Sequence, residues 1–236
     1  LVVRDGARIS AETFEGLGFG GTIVINASES IALLGNTPDG LNASQINVRT
    51  GGEGSAGNIR ITTGQLTVQD GGSISALTID RGSGGTIDIN ASDFVDVRGR
   101  RFLGEFSSVI DTETIGTGNA GSINITTGQL FVQEGGEINA STVGEGEGGN
   151  LQIRALESLE VVGDDSQMTT ETRGEKRAGN IEIDTPNLRI WEGGEISTAT
   201  SGAGAGGTLN INARDSILLV GTDGLDSEIS TESNDV

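Results

Sequence analysis

The chain has no cysteine, no histidine and no tyrosine among its 236 residues. Disulfides, zinc sites of the Cys/His kind, thiol nucleophiles and imidazole bases are therefore excluded. The lack of cysteine also suits a chain that crosses an outer membrane unfolded, where disulfides would block passage. Aromatics make up only 3% of the chain and proline only 2 residues, so any core must be built from small aliphatics. No apolar run approaches the ~20 residues that span a bilayer as a helix. Positive charge is scarce as well: 14 Lys and Arg stand against 34 Asp and Glu, for a formal charge of -20. A nucleic-acid groove requires the opposite sign, and anionic membrane surfaces are disfavoured for the same reason. Neither nucleic acid nor membrane insertion is expected. No cofactor is expected either, because no Gly-Lys-Ser/Thr follows the glycine runs and GEGEGGNLQ (144–152) lacks the Asp of a calcium nonapeptide.

What the chain has is glycine, 40 residues of it, and three short patterns that recur in fixed order. The first follows a glycine-rich turn: Thr22 to Asn26 (TIVIN), Asn58 to Thr62 (NIRIT), Thr86 to Asn90 (TIDIN), Ser122 to Thr126 (SINIT), Asn150 to Arg154 (NLQIR), Asn180 to Asp184 (NIEID) and Thr208 to Asn212 (TLNIN). The second pairs aliphatics two apart, as in Leu66/Val68, Leu130/Val132 and Leu188/Ile190. The third runs from an aliphatic to a hydroxyl four residues on, as in Ile74/Thr78, Ile138/Thr142 and Ile196/Thr200. Each pattern alternates apolar and polar with period two, the mark of a half-buried strand, and Gly, Asn and Asp fill the gaps as turns require.

Copies of the second pattern start at 1, 31, 66, 95, 130, 159, 188 and 217. One unit of about thirty residues is too small to bury its own apolar face. Stacking units coaxially sets each inward aliphatic on its counterpart and pairs each strand with the next unit ~4.8 Å away. Chemically similar residues at the same place in every unit favour parallel in-register stacking over an antiparallel sandwich. The expected fold is all-β: a right-handed single-stranded parallel β-helix of about eight three-strand coils, with the hand taken from the general crossover preference. Residues 1–236 are expected to be one repeat domain, cut at both ends from a longer chain.

Coils alternate between two versions. One has a tight turn between the second and third patterns (Asp70-Gly71-Gly72, Glu134-Gly135-Gly136, Glu192-Gly193-Gly194, and Asp5-Gly6-Ala7). The other has a longer loop there, at 35–45, 99–109, 163–167 and 221–228. These loops should project from one side of the rod on every second coil.

The units GGTIDINASDFVDVRG (84–99), AGSINITTGQLFVQEGGEINAST (120–142) and GGTLNINARDSILLVG (206–221) resemble the repeats of large filamentous-haemagglutinin-type exoproteins, exported by two-partner secretion and frequent in filamentous photosynthetic bacteria. The resemblance runs over essentially the whole chain but names no binding residue. It implies a secreted or surface-bound β-helical shaft for adhesion or aggregation, located outside the outer membrane. No amino-terminal secretion-signal domain is visible, so the export route is implied only by the resemblance.

A non-enzymatic role is expected. The rival reading, a β-helical polysaccharide lyase or hydrolase, needs carboxylates clustered on one strand face, and the acids here are scattered over turns. By parity the threonine column that ends the third pattern faces inward, which makes it a structural hydroxyl ladder. The one local anomaly is RGRRFLGEF (98–106), where three Arg and two Phe stand in an acidic, aromatic-poor chain. Arg98, Arg100, Arg101, Phe102 and Phe106 are the candidate ligand-binding residues, with Arg for an acidic group and Phe for the face of a sugar. The bland reading of this segment is a loop that folds its Phe back over the helix wall. Candidate partners are a glycan or cell-surface molecule and, through exposed end coils, a second copy.

Overall fold

A computed structural model describes residues 1–14, 16–37, 39–99, 107–222 and 224–233. Among these residues there are sixteen strands and no helix. The odd-numbered strands are β1 (Val2–Arg4), β3 (Ile23–Leu34), β5 (Ile59–Gln69), β7 (Thr86–Arg98), β9 (Ser122–Gln133), β11 (Asn150–Val162), β13 (Ile181–Trp191) and β15 (Leu209–Val220). The even-numbered strands are β2 (Arg8–Thr13), β4 (Gln45–Thr50), β6 (Ser73–Thr78), β8 (Val109–Asp111), β10 (Glu137–Asn139), β12 (Gln167–Thr172), β14 (Glu195–Thr200) and β16 (Glu228–Ser233). Odd strands form one eight-stranded sheet and even strands another, each in strict coil order and parallel throughout. The chain is a parallel β-helix of eight coils.

The register is the one that the repeats demand. Ile59, Ile87, Ile123, Leu151 and Ile181 lie in file, as do Leu66, Val95, Leu130, Leu159 and Leu188. On the even sheet Ile46, Ile74, Ile110, Ile138, Met168 and Ile196 do the same. All of these side chains are 0% exposed and belong to one continuous core cluster. Each inner coil depends on a neighbour above and below, because the few aliphatics of a single coil cannot cover one another.

The structure departs from the expected three strands per coil at one corner. The first and second patterns run together as one element of 11–13 residues in β3 to β13, with the register shifting at its middle. The reason is an alternating bulge. Thr63-Gly64-Gln65, Thr127-Gly128-Gln129 and Thr185-Pro186-Asn187 turn the corner with a single residue between pairing positions. Ala27 to Ser30, Ala91 to Phe94 and Ala155 to Ser158 turn it with two. Ladder bonds hold on both sides, so the strand bends without ending. In the short form the buried threonine hydroxyl donates to the carbonyl two residues on, at 3.2 Å from Thr63 to Gln65 and 3.1 Å from Thr127 to Gln129.

The corner that joins the even to the odd sheet uses two devices. A column of glycines (Gly57, Gly85, Gly121, Gly149, Gly179, Gly207) passes so close to the coil before it that a methyl on Gly121 would overlap the Gly85 carbonyl oxygen. The threonine column faces inward as its parity predicts, with Thr50, Thr78, Thr114, Thr142 and Thr172 all buried. Each donates its hydroxyl to the carbonyl five residues on: Thr78 to Ser83 and Thr114 to Asn119, both at 3.0 Å, and Thr142 to Glu147 at 2.9 Å. The ladder satisfies turn carbonyls and presents no flat hydroxyl surface.

Trp191 points outward and half-buried, between Val162 and Val220 in register, with the Arg189 guanidinium 6.0 Å from its ring centroid. Asp164 and Asp165 are exposed in their turn.

Candidate functional site

The corner between the odd and even sheets is where alternate coils differ, and it borders the outward face of the even sheet. In the tight form, two consecutive residues take positive φ: Asp70 (53°) and Gly71 (86°), Glu134 (54°) and Gly135 (79°), Glu192 (54°) and Gly193 (91°). The turn closes with a bond from the fourth residue to the first, as from Gly72 N to the Gln69 carbonyl at 3.0 Å. These are the marks of a type I′ turn, which leaves the amide of its second central residue without a partner inside the turn.

The next coil supplies that partner. Gly71 N–H donates to Ser108 Oγ at 2.9 Å, and Ser108 Oγ donates in turn to the Arg98 carbonyl at 2.6 Å. The same relay links Gly135, Ser166 and the Val162 carbonyl (2.9 and 2.6 Å). It recurs through Ser44 below and Ser227 above. One serine per long-loop coil therefore closes its own loop base and staples the tight turn of the coil before it. The two-coil super-repeat is thus a hydrogen-bonded unit. The serine is missed by a reading of apolar patterns. Its sequence signal is a Ser two residues before the first aliphatic of the third pattern (Ser44, Ser108, Ser166, Ser227) in alternate coils only, at the place that Gly72, Gly136 and Gly194 take in the others.

Of the predicted site residues, Arg98 ends β7 and is engaged. Its guanidinium donates to Gln69 Oε1 at 3.3 Å and lies 3.3 Å from Asp96 Oδ2, and its carbonyl receives the Ser108 hydroxyl. It serves as an anchor at the base of the loop. Arg100, Arg101, Phe102 and Phe106 lie outside the described residues.

Next to this loop, the middle outward column of the even sheet runs Ser10, Asn47, Ser75, Asp111, Asn139, Thr169, Ser197 and Ser230. It holds one ionisable group. Burial pushes the Asp111 carboxyl up to about 7; the Ser75 hydroxyl, donating at 2.9 Å, opposes the shift, and Glu113 and Glu137 add to it. Glu113 is also raised by burial, with Arg173 pulling the other way. Glu137 accepts from Ser107 Oγ at 2.5 Å, tying this patch to the loop end. Asn139 Oδ1, beside Asp111 in register, is buried without a donor. A neutral Asp111 is the species that such surroundings favour. Comparing columns across coils finds Asp111 in the sequence, since every other member is neutral.

Among the described residues, no group of three or more acids could hold a metal ion, and no helix is long and apolar enough to cross a membrane. No family model, curated protein or solved structure matches the chain.

Proposed function

We propose that the chain is a structural and adhesive repeat module of a secreted bacterial surface exoprotein of the filamentous-haemagglutinin type. The observation that carries this reading is the unbroken stack of eight coils, whose core is spent wholly on axial cohesion. A rod of roughly 35–40 Å, at ~4.8 Å per coil, holds its corners and faces outward for contact. The high negative charge keeps such shafts soluble and apart. The test is the purified chain added to cells that carry the parent protein. It should bind the cells or compete with their aggregation, and it should release no reducing ends from acidic polysaccharides. Failure both to bind and to compete would remove the reading.

One observation favours a second reading, a β-helical polysaccharide lyase or hydrolase: Asp111 is the kind of raised carboxyl that acid catalysis uses. Release of reducing ends that is abolished by Asp111→Asn would establish it in place of the first.

A further inference from the structure

We infer that the outward face of the even sheet over coils one to three carries a binding site for a carboxylate-bearing sugar. The inference deepens the adhesive reading and rests on it. A groove of about 290 Å³ lies there, floored by β2, β4 and β6 and walled on one side by Leu41, Asn42 and Ala43. Its size is at the small end of ligand sites, room for about one ring of a longer saccharide.

The wall is built by its own hydrogen bonds. Asn36 and Ala43 form an antiparallel bridge. Thr37 N donates to the Asn42 carbonyl at 2.9 Å, Gly40 N to the Thr37 carbonyl at 2.7 Å, and Leu41 N to Asp39 Oδ1 at 3.0 Å. Ser44 pins its base to the coil below through Gly6. The loop therefore holds Leu41, 74% exposed, in a set position at the groove's edge without help from a core. Leu77 forms part of the same groove from β6. Two aliphatic side chains beside amide and hydroxyl groups suit a sugar ring, which offers C–H faces and a rim of hydroxyls.

The charge is the decisive feature. Arg49 stands opposite Glu12 in register, yet Glu12 is turned to other donors: its Oε1 receives Arg8 at 2.7 Å and Asn47 Nδ2 at 3.1 Å. Arg49 makes no ion pair or hydrogen bond among the described residues, although acids outnumber bases by more than two to one in the chain. Asn47, 7% exposed, lines the groove with its Oδ1 buried and without a donor. The site thus sets a guanidinium that no acid pairs beside the polar side chains of Gln45 and Ser75. A guanidinium pairs with a carboxylate in a bidentate fork, and hydroxyls serve the rest. The surroundings tolerate an anion: residues 1–78 hold 4 Arg and 7 acids, a net of -3, against -17 for residues 79–236, which hold 10 bases and 27 acids.

The probes are an oligogalacturonate, a neutral oligosaccharide of equal length and polyglutamate, titrated against the full chain by calorimetry. The oligogalacturonate should bind and weaken with added salt, and the neutral sugar should bind at least about tenfold more weakly. Arg49→Ala should cost about tenfold or more, and Leu41→Ser a smaller factor. Arg81→Ala, which alters an exposed arginine away from the groove, should change nothing. Thermal melts that match the parent chain would show that the variants fold. No binding of the oligogalacturonate, binding indifferent to Arg49→Ala, or equal binding of polyglutamate would overturn the site. Cell binding by the chain without uronate binding would overturn this inference and leave the adhesive reading standing.

Discussion

The two kinds of corner between the sheets solve one problem by different means. The tight corner at 70–72 turns on two residues of positive φ and leaves the Gly71 amide without a partner inside the turn; the long corner, which starts at Gly99, ends on Ser108, which takes up that amide. Neither corner is complete alone. The difference teaches that the cooperative unit of this rod is two coils, although the aliphatic columns repeat with every one. Decoration is free to vary on the long corner because its base is fixed by the serine, while the tight corner has no room for it.

The largest effect should come from breaking the relay. Ser108→Ala leaves the buried Gly71 amide unpaired and removes a donor from the Arg98 carbonyl, so chemical denaturation should show a loss of about 2–4 kcal/mol. Ser227→Ala, at the half-buried end coil, should cost less than half of that. Equal costs at the two sites would mean that burial does not set the strength of the staple.

Next in size is the carboxyl that follows the long corner. Asp111 has a folded pKa of about 7, above its unfolded value near 4, so the folded chain binds more protons between the two. Stability should therefore fall as pH rises from about 4 to about 7 and then level off. Asp111→Asn should remove this slope and, at pH 8, stabilise the chain by about 1–3 kcal/mol. Melting curves across that range measure it; a slope that survives the substitution would assign it to Glu113, whose carboxyl burial also raises.

The smallest effect should come from the tight corner. Glu134 holds a φ of 54°, a conformation that Asn adopts more readily than Glu. Glu134→Asn should raise stability by about 0.5–1 kcal/mol, whereas the same change at a strand position such as Glu137, without positive φ, should not.

Much of this fold is legible in the sequence because a parallel stack forces like onto like. The columns led by Ile59, Leu66 and Ile46 and the inward threonines can be read from spacing and parity alone. The merging of two patterns into one strand is less legible, since it depends on a one-residue difference between Thr63-Gly64-Gln65 and Ala91 to Phe94. The candidate site was read only in part. RGRRFLGEF stands out by composition; of its named residues Arg98 is held by Gln69 and Asp96, and the other four lie outside the described residues. Ser108 recurs only in every second coil and outside the apolar alternation, Asp111 is a single departure within a neutral column, and Arg49 becomes notable only once Glu12 Oε1 is seen to be engaged by Arg8 and Asn47.

The central claim is parallel, in-register stacking, and a chain without cysteine allows a direct measurement. Gln152 and Glu182 are register partners on the outward face of adjacent coils. Oxidation of the Gln152→Cys/Glu182→Cys pair should give a near-complete intramolecular disulfide with the fold retained, since facing residues on neighbouring strands lie within the reach of one. A Gln152→Cys/Asn210→Cys pair, two coils apart, should not close. Ready closure of the second pair, or failure of the first in a folded chain, would contradict the stack.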